Sequence, residues 1–299
     1  MQNSCELDGL GDCFASLAMT YGLAHLKSSA FALGARADVP DTGPDLHLPS
    51  KPQIMTCLIW KGTVMVSRRA VVCLLLGAAG TSWAGAGQPA DPDPNRFAQE
   101  IKAFAEWDSK NTVPAEPVLF VGSSTMRLWR THECFPDLPV VNRGFGGSQI
   151  SDILHFADRI VLPYRPRLIV FYAGDNDLAG GKSAQRVLDD CRRFIGLVHA
   201  RLPATRILFL GIKPSRSRWS LWAEAKKANT FVQELGGGDN RLFFIDLAAP
   251  LLGPDGLPIP DLFLKDQLHL NAQGYALRSK ALTPVLQKIL VSSLPKRAE

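Results

Sequence analysis

From about Asn95 onward the chain alternates short apolar runs with amphipathic stretches, and this alternation constrains the fold more than any other feature. The runs Pro117 to Val121, Pro139 to Asn142, Arg167 to Ala173, Arg206 to Gly211 and Leu242 to Asp246 have the length of strands. Between them, the segments around 96–108, 148–161, 183–201, 219–235 and 272–291 repeat apolar residues at three- or four-residue steps, the period of a helix with one buried face. Such an order predicts one α/β domain, a parallel sheet with helices on both sides. Leu168-Ile-Val-Phe-Tyr and Ile207-Leu-Phe-Leu are apolar at every position, as strands buried under two helical layers must be. No internal repeat or low-complexity tract interrupts the pattern.

A sheet of this kind binds ligands beyond the carboxyl ends of its strands. The polar residues of interest fall there. Ser124 follows the first run, Gly147 the second, Asn176 the third and Lys213 to Trp219 the fourth, while Asp266 and His269 lie in the long segment after the fifth. A serine hydroxyl becomes a nucleophile when an imidazole takes its proton and a third group orients that imidazole. Ser124, His269 and Asp266 supply those types, and the Asp-x-x-His spacing lets the carboxylate reach Nδ1 of its own histidine. Developing negative charge on an attacked carbonyl needs donors. Gly147 offers its N–H from a glycine-rich turn, Asn176 its side-chain amide, and Ser124 its own N–H. Read one at a time, these residues are ordinary: Ser124 caps a short helix starting at Thr125, and Gly147 and Asn176 shape turns. Arg143, Lys213, Arg216, Arg218, Trp219 and Trp222 either line a substrate pocket or belong to solvated loops and core. The glycine cluster lacks the phosphate-binding register, and Asp175 with Asp177, two carboxylates without further ligands, is a weak metal signal.

The four blocks Gly122-Ser-Ser124, Gly147, Gly174-Asp-Asn-Asp177 and Asp266-Gln-Leu-His269 together resemble the SGNH/GDSL hydrolases across roughly Phe97 to Leu290. Ser123 stands where the name-giving motif has aspartate. The resemblance implies a flavodoxin-like α/β/α sandwich with five parallel strands in the order 2-1-3-4-5. It also implies Ser124, Asp266 and His269 as catalytic residues, Ser124, Gly147 and Asn176 as the oxyanion hole, and no metal or organic cofactor. The activity it implies is hydrolysis of short-chain or carbohydrate O-acetyl esters through an acyl-enzyme. Lysophospholipase, thioesterase and O-acyltransferase chemistry use the same triad, and a non-catalytic carbohydrate-binding module is the rival without it.

The 299 residues, 46% hydrophobic, suffice for a sizeable core. The formal charge of +5 is scattered, with no basic stripe for nucleic acid. Six cysteines, Cys5, Cys13, Cys57, Cys73, Cys134 and Cys191, show no CxxC pair or zinc spacing. Ser67-Arg-Arg69, the apolar stretch Ala70 to Gly80 and Ala84-Gly-Ala86 read as a secretory signal over 65–86, with a hint of twin-arginine export. The stretch is shorter than a membrane span requires. Translation is therefore expected to start at Met65, with 1–64 a non-native or disordered extension, 87–94 a linker and 95–299 the catalytic domain. Export places the protein in the periplasm or outside the cell, cytoplasmic residence following instead if the extension is genuine. Of the six thiols, Cys134 and Cys191 belong to the mature part, paired or free.

Overall fold

The computed structural model describes residues 87–292. The expected start at Met65, the signal segment and the first four cysteines lie outside the described residues. In chain order the regular elements are α1 (Ala98–Lys110), β1 (Val118–Gly122), α2 (Ser124–Arg127), α3 (Thr131–Cys134), β2 (Val140–Gly144), α4 (Ile150–Ile160), β3 (Leu168–Tyr172), α5 (Asp175–Ala179), α6 (Ala184–Arg201), β4 (Arg206–Leu210), α7 (Trp222–Leu235), β5 (Leu242–Ile245) and α8 (Ala272–Val291). The five strands are all parallel in the order β2-β1-β3-β4-β5. All five expected strands and the five longer helices are present.

Alternate residues of each central strand enter opposite cores. Leu119, Val121, Ile169, Phe171, Ile207 and Phe209 pack under α1, α4, α6 and α7. Val118, Phe120, Leu168, Val170, Tyr172, Leu208 and Leu210 face α8 and the side chains of Met126, Trp129 and Phe135. Every residue of β1 and β3 is buried, which explains why those runs carry no polar side chain. Cys191 lies in the first core and Cys134 packs against the second. Both thiols are free, with the sheet between them.

Register positions the site. Gly122, the last residue of β1, is level with Gly144 at the end of β2 and Tyr172 at the end of β3. The loops leaving these strands therefore begin side by side, and Asn142 ties two of them. Its Nδ2 donates to the carbonyls of Met126 and Trp129 at 2.8 and 3.1 Å, while its Oδ1 accepts from Gly144 N at 2.9 Å.

The segment read as a linker is fastened down. Gln88 Oε1 accepts from Ser183 N at 3.0 Å, and Asp91 pairs with Lys182 at 2.8 Å and Arg186 at 2.8 Å. Its proline- and aspartate-rich composition resembles a spacer, whereas its partners lie some 95 residues away in sequence. Among the described residues, no helix is long and apolar enough to cross a membrane.

Candidate active site

The turn that carries Ser124 begins at Gly122, whose φ of 151° is open to glycine and strained for other residues. Ser123 N then donates to Tyr172 O at 3.1 Å, holding the turn against β3. Helix α2 starts one residue earlier than the sequence suggested: Ser123 occupies the cap position in extended conformation, and Ser124 is the first helical residue. The hydroxyl of Ser123 leans on Asp175 Oδ1 at 3.4 Å, so neither serine caps the helix through its side chain. As the first residue of a helix, Ser124 has an N–H with no acceptor inside that helix. The residue is 9% exposed.

The segment after β5 folds back on itself. Phe263 bridges Leu270, Leu264 N donates to His269 O at 2.7 Å, and Asn271 N donates to Leu262 O at 3.0 Å. Inside this pinch Asp266 Oδ1 accepts from the N–H groups of Leu268 and His269, both at 2.9 Å, and Oδ2 lies 2.6 Å from His269 Nδ1. Partial burial works to raise the Asp266 pKa, but these hydrogen bonds outweigh it and hold the carboxyl down at about 2. His269 Nε2 is 2.9 Å from Ser124 Oγ. A proton on Nδ1, shared with Asp266, leaves Nε2 free to accept from the serine. Helix α8, capped by Asn271 through Gln273 N and Gly274 N, locks the two halves together. Tyr275 Oη donates to Thr125 O at 2.9 Å, and Trp129 Nε1 donates to Ser279 Oγ at 2.9 Å.

In the loop after β2, Gly147 takes a φ of 81°, and a side chain there would meet nothing within 4 Å. Asn176, in the first turn of α5, donates from Nδ2 to Ser148 O at 3.0 Å and accepts at Oδ1 from Arg218 Nη2 at 2.9 Å. Arg218 Nη1 also lies 3.2 Å from Asp175 Oδ2.

A model of the GDSL-like lipase/acylhydrolase family matches residues 122–277, more than half of the chain. The chain belongs to that family. Bovine (Bos taurus) platelet-activating factor acetylhydrolase IB subunit alpha1 is 29% identical over 209 residues, covering 64% of this chain and 87% of the relative. The rat (Rattus norvegicus) alpha2 subunit is 26% identical over 207 residues, covering 64% and 89%. A solved GDSL-like lipase from Bacteroides thetaiotaomicron superposes with a TM-score of 0.54 at 20% identity, covering 63% of this chain and 97% of that one, a likeness of fold. As a GDSL-like acylhydrolase, the protein is an ester-bond hydrolase.

The remaining residues singled out as pocket candidates divide within this GDSL framework. Arg143 is not brought to the serine. It is 4% exposed, donates to Tyr164 Oη at 2.6 Å, pairs with Asp108, and is ringed by Phe104, Trp107 and Tyr164. On β2 it shares a face with Val141, toward α1, and it binds that helix instead of a ligand. Lys213 does line a small pocket of about 20 Å³, with Asp175, Leu178, Arg218 and Trp222. Burial draws its ammonium down to about 8 against the pull of Asp175. Trp219 stacks on Trp222 with ring centres 6.2 Å apart, and Trp222 rather than Trp219 lines the pocket. Arg216 donates to Pro258 O at 2.8 Å. Among the described residues no group of three or more His, Cys, Asp and Glu side chains is arranged to hold a metal. Asp175 and Asp177 turn instead to cations of the protein, Arg218 and Lys182.

Three contributors were missed from sequence. Asn142 reads in the sequence as the end of a strand, and a polar residue closing an apolar run is the one signal of its role. Lys182 is fully buried among Asp91, Asp177 and Asp190. Arg278 is buried with its guanidinium 5.5 Å from the Trp129 ring centre and 5.3 Å from that of Tyr172. Lys182, in the connection between α5 and α6, and Arg278, on the buried face of α8, carry no local pattern that distinguishes them from surface cations.

Proposed function

We propose that this enzyme is a serine esterase acting on short-chain acyl esters, carbohydrate O-acetyl esters among them, through the triad Ser124, His269 and Asp266. The observation that carries the reading is the unbroken relay from Asp266 Oδ2 to His269 Nδ1 at 2.6 Å and from His269 Nε2 to Ser124 Oγ at 2.9 Å. Ser124 Oγ attacks the acyl carbonyl carbon while His269 Nε2 takes its proton. The oxyanion forms against Ser124 N, Gly147 N and Asn176 Nδ2, donors worth about 2.7–4 kcal/mol each when well aimed. Collapse breaks the ester bond, His269 returns the proton to the departing alkoxide, and the acyl group stays on Ser124. Water, deprotonated by the same imidazole, then attacks the acyl carbon, the bond to Ser124 Oγ breaks, and His269 returns the proton to that oxygen as the acid leaves. Asp266 keeps Nδ1 protonated and supports the imidazolium.

A labelled fluorophosphonate tests this directly. Wild type should be modified and Ser124→Ala left blank, with p-nitrophenyl acetate turnover lost in parallel; equal labelling of the two proteins would sink the assignment.

Two observations favour a second substrate reading, an acetylated or lyso-type phospholipid. The relatives are acetylhydrolases of platelet-activating factor by name. In addition, the exposed Leu128 and Leu264 flank an apolar groove that runs past α2 and the His269 loop. Comparing kcat/KM on acetylated sugars and on sn-2 acetyl phospholipids separates the two. Export to the periplasm or medium, read from 65–86, is part of the proposal and is tested by the N-terminal peptide of the native protein.

A further inference from the structure

The Asn176 amide has two chemically opposite ends, and only one orientation satisfies both of its neighbours. Both ends are engaged. Oδ1 accepts from Arg218 Nη2 at 2.9 Å, and one Nδ2 hydrogen goes to Ser148 O at 3.0 Å. Rotating the amide by half a turn would set its NH2 against a guanidinium and its oxygen against a carbonyl, losing two hydrogen bonds at once. Arg218 is in turn held by Asp175, the residue next to Asn176, at 3.2 Å. Arg218 belongs to the loop after β4, Asn176 to the turn after β3 and Ser148 to the loop after β2, directly beside Gly147. One chain of contacts thus joins three of the loops at this sheet edge.

We infer that Arg218 is a positioning residue for the oxyanion hole. It fixes the Asn176 amide so that the second Nδ2 hydrogen faces the acyl oxygen, and its positive charge on Oδ1 polarises that N–H toward the developing oxyanion. A hydrogen bond from an ionised donor is roughly twice as strong as a neutral one, and hydrogen bonds in series reinforce each other. The effect appears in the transition state, where the oxygen gains charge, and not in ground-state binding. Through Ser148, the same contact steadies the backbone that carries Gly147. This inference rests on the serine-esterase reading and adds to it a residue outside the four recognisable blocks.

The test is a double-mutant cycle on p-nitrophenyl acetate, with folding checked by circular dichroism and Ser124→Ala run alongside. Arg218→Ala should lower kcat roughly 10- to 100-fold with KM within about twofold, below the about 10²- to 10³-fold loss for removing an oxyanion donor outright. Arg218→Lys, which keeps the charge without the planar fork, should recover part of the loss, and it carries the test if the alanine variant unfolds. In an Asn176→Ala background, removing Arg218 should cost nothing more, because its action passes through the missing amide. Losses that multiply in the double variant, or kcat within twofold of wild type in both Arg218 variants, would overturn the inference. Full turnover in Asn176→Ala would overturn it too, while leaving the triad standing as long as Ser124→Ala is inert. Activity surviving in Ser124→Ala would instead remove the reading beneath it.

Discussion

Asp266 and Asp177 are carboxylates near the same sheet edge, each beside a cationic or protonatable partner, and their environments push them in opposite directions. Asp266 sits on a loop with about half its side chain in solvent, and hydrogen bonds from two backbone N–H groups and from His269 hold it at about 2. Asp177 has no exposed side chain, and burial lifts it to about 6 in spite of Lys182 at 3.1 Å and the Ile150 N–H at 3.2 Å. One carboxylate is arranged to stay charged against a histidine. The other holds together α5, α4 and, through Lys182, α6 and the N-terminal segment. With the proposed triad, chemistry and architecture rest on separate aspartates, so substitutions at the two should separate cleanly into effects on rate and effects on stability.

The largest separation is expected at Asp266. Asp266→Ala should cut kcat on p-nitrophenyl acetate by roughly 10²- to 10⁴-fold, the range seen when a triad loses its acid, while chemical denaturation shifts by less than about 1 kcal/mol because the pair is exposed. A large loss of stability would show that the loop is part of the architecture after all. At the other pole, Lys182→Met strips the shared cation from Asp177 and Asp190. Uncompensated buried charge should then cost about 3–5 kcal/mol in urea titrations, and stability within 1 kcal/mol of wild type would break the contrast.

The smallest effect is a pH slope. Asp177 holds its proton up to about 6 in the native state and only to its ordinary 3.8 when unfolded, so between those values the native state binds more protons. Its contribution to stability therefore falls as pH rises from about 4 to about 6. Asp177→Asn removes this group from the titration, and the stability of wild type relative to the variant should shrink across that window by up to about 3 kcal/mol. A difference that grows with pH would mean that the pair with Lys182 dominates over burial.

How much of this was legible in the sequence follows from how local each signal is. β1, β3 and, past Arg206, β4 were readable because burial on both faces leaves apolar residues to read, and the Asp266-to-His269 spacing places carboxylate and imidazole within one turn of chain. Arg143 was not readable: a cation closing a strand looks the same whether it faces a substrate or, as here, Asp108 on a helix that precedes the strand by some 35 residues. Lys182 was obscured for the same reason, since two of its three carboxylates lie within eight residues but the third comes from a segment resembling a linker. Arg218 stood among the pocket candidates without a role, because its partner is an amide oxygen 42 residues away and no spacing encodes that contact.

Gly122 imposes a different kind of limit. A Cβ on this residue would lie 1.9 Å from the carbonyl oxygen of Tyr172, so even alanine would have to force β1 and β3 apart at the root of the Ser124 turn. In a saturation-mutagenesis screen for activity, position 122 should be depleted as completely as position 124, although it contributes no functional group. Fitness data alone would thus report two indispensable positions where one supplies the hydroxyl proposed to react and the other supplies only the absence of an atom.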